Sequence, residues 1–111
     1  MREDHPAERY LLVETQSGTT AERFLADAAA LAGAGERVRL FLASDGVALG
    51  IRGASAGLPR FLGAGGQAWI DEFTLAHRAL HAAPLAPGVR TTGMGDVADW
   101  LLEPGTRVVW H

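Results

Sequence analysis

Five short apolar runs alternate with helical segments along the chain, and no hairpin turn joins one run to the next. Strands that meet only through such crossovers lie parallel. The runs are Tyr10–Glu14, Val38–Ala43, Ala68–Ile70, Val89–Thr92 and Thr106–Trp110. The first two are nearly continuous in apolar residues, as strands covered on both faces are. The order predicts an α/β fold: a three-layer α/β/α sandwich around a mainly parallel five-stranded sheet, with right-handed crossovers.

The helical segments carry start and stop signals. Thr19 and Glu22 stand in capping-box register. Ala21, Phe24, Leu25, Ala28, Leu31 and Ala32 then recur at three- and four-residue steps, and Gly33 and Gly35 supply the stop. Residues 47–57, rich in glycine and alanine, read as a mobile loop with room for one helical turn. Pro59 suits the first turn of a short helix over residues 58–62, which Gly63-Ala64-Gly65-Gly66 ends. Phe73 to His81 has helical character, and Pro84 and Pro87 impose an irregular link after it. Asp96 can cap a last helix reaching Leu101.

At 111 residues, with no repeat or internal linker, the chain is expected to be a single domain over residues 1–111 behind a polar leader, residues 1–9. No apolar run nears the roughly 20 residues that a bilayer requires, so no membrane partner is expected. The leader has no export character, which points to the cytoplasm. A net charge of −3 with scattered arginines argues against nucleic acid as a partner. The chain is small for a doubly covered sheet, which makes self-association an expectation.

Cysteine is absent. Disulfides, thiolate metal sites and cysteine nucleophiles are therefore excluded. All ten basic residues are arginines, so lysine Schiff-base chemistry is excluded too. Gly63–Gly66 precedes a strand instead of leading from a strand into a helix. It lacks the setting of a nucleotide-binding loop, and no cofactor is expected.

Open parallel sheets bind ligands beyond the carboxyl ends of their strands. Thr15, Ser17, Asp45, Gly46 and Asp71 stand there, and Arg78 follows closely enough to reach the same rim. These six are the candidate ligand-binding residues, and Asp71 and His77 are the candidate bases. Each also has a plainer role. Asp45-Gly46 suits an Asx turn, and Arg78 a surface salt bridge. Adjacent Asp71 and Glu72 point to opposite faces of an extended segment, which makes them a poor carboxylate pair. His77 and His81 have the four-residue spacing of a metal half-site. They lack the glutamate of the usual motif, so no metal site is expected and surface histidines are the simpler account. His5 and His111, near the termini, read as exposed or as contact residues. Trp69, Trp100 and Trp110 suit core or interface.

The first strand opening on a Thr/Ser/Gly loop, the alanine-rich helix stopped by glycines, and Ser44-Asp45-Gly46-Val47 after the second strand form a familiar pattern. A third strand follows, then Phe73-Thr74-Leu75-Ala76-His77-Arg78-Ala79-Leu80. From Tyr10 to His111 the chain resembles the DsrE/DsrF-like family, which includes the sulfur-relay subunits of the DsrEFH and TusBCD complexes. The resemblance implies a three-layer fold, a cytoplasmic location and assembly into trimers or hexamers. It also implies a persulfide-carrying cysteine at the end of the third strand. That position falls at or beside Asp71, and a carboxylate cannot carry sulfane sulfur.

Three functions fit. The first is a cysteine-free, homo-oligomeric relative that binds a small molecule or anion in the strand-end cleft. The second is a non-catalytic subunit that partners a cysteine-bearing paralogue in a sulfur-relay complex. The third is an acid–base enzyme with Asp71 or His77 as base and Arg78 as anion clamp.

Overall fold

A computed structural model describes residues 8–111, so most of the leader, with His5, lies outside the described residues. The elements are β1 (Arg9–Glu14), α1 (Thr19–Gly33), β2 (Arg37–Leu42), a 3₁₀ segment (Ser44–Gly50), α2 (Gly57–Gly63), β3 (Gln67–Asp71), α3 (Glu72–His77), β4 (Arg90–Thr92), α4 (Met94–Leu101) and β5 (Thr106–Trp110). The five strands form one sheet in the order β4-β3-β2-β1-β5. Every pairing is parallel.

Period two along each strand divides the core. Leu12, Val38, Leu40, Leu42, Ala68 and Ile70 pack on one face with Ala21, Leu25 and Ala28 of α1 and Leu58 and Phe61 of α2. Leu11, Val13 and Phe41 pack on the other face with Val97 of α4, flanked by Trp69 and Trp100. The two indoles meet at 4.6 Å. Crossovers of constant hand explain the division. From β1 to β4 the chain steps across the sheet in one direction, and the connecting helices fall on one face. The return to β5 runs the other way, so α4 falls on the opposite face.

The glycine stops act as expected. Helix α1 ends in a Schellman motif, with Gly35 at φ 93°, its N–H donating to Ala32 O, and Glu36 N–H donating to Leu31 O. Helix α2 ends the same way at Gly65, φ 106°. The third helix is shorter than expected, because the motif recurs at Ala79. That residue stands at φ 57°, with Leu80 N–H donating to Leu75 O at 2.9 Å. His81 therefore lies beyond the helix, and the His77–His81 spacing does not define one helical face.

Three further expectations change. The helical turn allowed within residues 47–57 is the end of a 3₁₀ segment that starts earlier, at Ser44, and it is held in place because Val47 and Leu49 are buried in the core. Thr19 and Glu22 make no capping box: Gly18 is the N-cap, and Glu22 Oε1 instead accepts the Gly57 N–H at 2.9 Å, tying α1 to the start of α2. Helix α4 starts at Met94 behind Gly93, and Asp96 in its first turn accepts the Thr92 hydroxyl at 2.6 Å.

Candidate functional site

Between β1 and β5 the winding of the sheet reverses: β1 leads into α1 on one face, whereas β5 arrives from α4 on the other. Open α/β sheets bind ligands at the carboxyl ends flanking such a reversal. Glu14 closes β1 there, and its side chain is fully buried. His111 follows β5 directly. Its Nδ1 lies 2.8 and 3.0 Å from the two carboxylate oxygens of Glu14. The Gln16 N–H donates to Glu14 Oε2 at 2.9 Å. A carboxylate only accepts, so the imidazole proton sits on Nδ1 and Nε2 is left as the free pole of the ring. The ring also stacks on Phe24 of α1, with centroids 4.7 Å apart and planes 7° apart. The His111 side chain is 30% exposed, so it is fixed in direction yet open to solvent.

The sequence marks Glu14 only as a strand end and His111 as exposed or a contact residue. Of those two alternatives His111 is the contact residue, partly buried and held by Glu14. Two of the six candidate ligand residues gather around the pair. The Thr15 hydroxyl donates to His111 O at 2.8 Å. Gly46 lies against the main chain of Glu14, where a Cβ would overlap the Glu14 carbonyl. Just before it, Ser44 holds a left-handed φ of 54°, rare for serine and the kind of backbone strain that collects at functional sites.

Asp45 and Arg78 form a second group on the same rim. Arg78 Nη1 donates to Asp45 Oδ1 at 2.6 Å, with side chains 41% and 65% exposed. The bond uses one guanidinium N–H and leaves the rest of the fork for another acceptor. Ser17 is exposed on the β1–α1 loop.

Asp71 has structural work. Buried at the end of β3, it caps α3, accepting the Phe73 N–H at 3.3 Å and the Thr74 hydroxyl at 2.5 Å. His77 stacks on exposed Phe73 with centroids 5.8 Å apart. Asp71, His77 and Arg78 are thus each engaged with a different partner: the start of α3, Phe73 and Asp45. Two clefts, of about 420 and 220 Å³, lie instead at the amino-end edge of the sheet, and none of the three residues lines either.

No protein-family model and no curated protein matches the sequence. Solved structures match the fold. The ychN protein from E. coli superposes with a TM-score of 0.83 at 22% identity, over 94% of this chain and 99% of that one. MTH1491, a protein of unknown function from Methanobacterium thermoautotrophicum, superposes with a TM-score of 0.75 at 16% identity, over 94% of this chain and all of that one. The chain therefore has the parallel-sheet α/β fold of these two structures, and it contains no cysteine.

Proposed function

We propose that this chain is a cytoplasmic, self-associating protein of the DsrE-like kind that binds a small polar molecule or anion at the carboxyl rim of its sheet. One observation carries the reading: a buried carboxylate orients an imidazole where the winding reverses. Burying a carboxylate is costly unless it is well bonded, so a fully buried one marks a position that the fold has to support. Its effect here is to fix the direction of His111 before any ligand arrives, which lowers the ordering cost of binding. Arg78, with most of its donors uncommitted, supplies a second contact for an anionic ligand. With no thiol in the chain, the sulfur-carrier role of the family is not part of the proposal.

A thermal-shift screen of small carboxylic acids tests the rim. Some are expected to raise the melting midpoint of the native chain and to lose that increment in His111→Gln and Arg78→Gln. If none does, or the increment survives in His111→Gln, the rim is not the ligand site.

Large exposed apolar side chains support self-association: Leu102 is 81% exposed, Phe73 72% and Trp110 63%. Trp110 stands on β5, an edge strand whose outer backbone groups pair with no other strand among the described residues. These side chains equally fit the second reading, a subunit beside a cysteine-bearing paralogue. Native mass spectrometry of the chain expressed alone separates the two. A homotrimer or homohexamer is expected; a monomer that aggregates favours the paralogue.

A further inference from the structure

The larger cleft lies at the opposite edge of the sheet, and its lining places two arginines side by side. The space of about 420 Å³ opens at the amino ends of β1, β2 and β5. Arg9 of β1 and Arg37 of β2 are register partners, so both side chains leave the same face of the sheet from backbones about 4.8 Å apart. Arg39, two residues further along that face, is already engaged: it bonds Glu103 at 2.5 Å and lies over the Trp100 ring at 4.9 Å. Arg9 and Arg37 are exposed and have no ion-pair partner among the described residues.

Like charges in cross-strand register repel. An anion between them turns that repulsion into a clamp. Thr106 is the register partner of Arg9 on its other side and lines the same cleft. Its hydroxyl is shut off from solvent and has no hydrogen-bond partner among the described residues. Two guanidinium forks, donors only, complement a tetrahedral oxyanion.

The lining also sets the size and charge of the ligand. Its volume lies in the range of about 300–1,000 Å³ typical of organic-ligand sites, well beyond a bare phosphate. Glu36 and Glu103 share the lining with the three arginines, which suits one phosphoryl group better than a polyanion. We infer that this cleft binds a small phosphomonoester, with Arg9 and Arg37 clamping the phosphate. It is a second site, separate from the rim.

Isothermal titration of the full chain with glycerol 3-phosphate, against glycerol at matched ionic strength, tests the assignment. Saturable one-site binding is expected, weakened about tenfold or more in Arg9→Gln and in Arg37→Gln. Arg60→Gln, an exposed arginine on α2, should bind as the native chain does. In phosphate-free buffer Arg37→Gln is expected to melt no lower than the native chain, because it removes one of two repelling charges; weakened binding then cannot be ascribed to unfolding. Absence of saturable binding, undiminished binding in Arg37→Gln, or an equal loss in Arg60→Gln overturns the assignment. His111→Gln should leave this binding intact, so failure of the rim and failure of the cleft are read separately.

Discussion

Replacing Glu14 by glutamine tests whether the Glu14–His111 pair is a coupled unit. The carboxylate takes the Gln16 N–H at 2.9 Å and His111 Nδ1 at 2.8 and 3.0 Å. Hydrogen bonds to a charged group are worth about 1.5–3 kcal/mol each. Glutamine keeps the volume and one carbonyl oxygen. With that oxygen on the Gln16 N–H, the amide nitrogen faces Nδ1, and the imidazole must move its proton to Nε2. Glu14→Gln is therefore expected to cost about 2 kcal/mol, from one weakened and one rearranged bond. His111→Gln should cost about 1–2 kcal/mol, because the ring is partly exposed and the Gln16 N–H still satisfies one carboxylate oxygen. In the double variant the two amides can pair, so the losses should fall short of their sum by about 1 kcal/mol.

Urea unfolding reads this cycle at one fixed protein concentration, since self-association would otherwise move the midpoint. Nitrogen-15 spectroscopy of the imidazole reads the proton: on Nδ1 in the native chain, on Nε2 in Glu14→Gln. Losses that add within about 0.5 kcal/mol, or a tautomer that does not change, would refute the argument.

Further outcomes follow from local geometry. Gly46→Ala drives a Cβ into the Glu14 carbonyl, a rigid main-chain neighbour, and should cost about 2–4 kcal/mol from overpacking and the disturbed Ala43 N–H bond to that same oxygen. Gly33→Ala, at the end of α1 with open space around it, should gain up to about 1 kcal/mol; chemical denaturation that gives both substitutions the same sign rejects the steric account. Asp71→Ala should lose about 1–2 kcal/mol of stability with the α3 cap, while Asp71→Asn loses less than half of that. Any ligand increment at the rim should survive Asp71→Ala; its disappearance would return Asp71 to the site.

The fold was legible where one residue type decides the outcome. Apolar runs such as Leu11–Val13 and Leu40–Leu42 suit strands covered on both faces, the usual state of parallel sheets, and all three of the first run are buried here. Gly35 could be read as the end of α1 because glycine enters the left-handed region freely. Ala79 takes the same conformation with no such signature, so the end of α3 could not be placed from local residues. Glu22 shows a similar limit. Its spacing from Thr19 fits a capping box, but the Gly57 N–H, 35 residues away, takes the carboxylate instead.

The site was less legible because it is made by pairing rather than by local pattern. Glu14 and His111 are 97 residues apart and meet only because β5 lies beside β1. Composition and periodicity identify both strands without saying which is whose neighbour. The handedness of crossovers narrows the choice, and it does so through α4. A helix on the face opposite α1 requires the chain to return across the sheet, and the free edge it reaches is that of β1. Once β5 is there, parallel register sets Val109 beside Leu12 and Trp110 beside Val13, and the next step brings His111 to Glu14. An ionisable residue directly after each of two apolar strands was visible from the start. What turned them into a pair was the strand order, and the strand order follows from the face that α4 occupies.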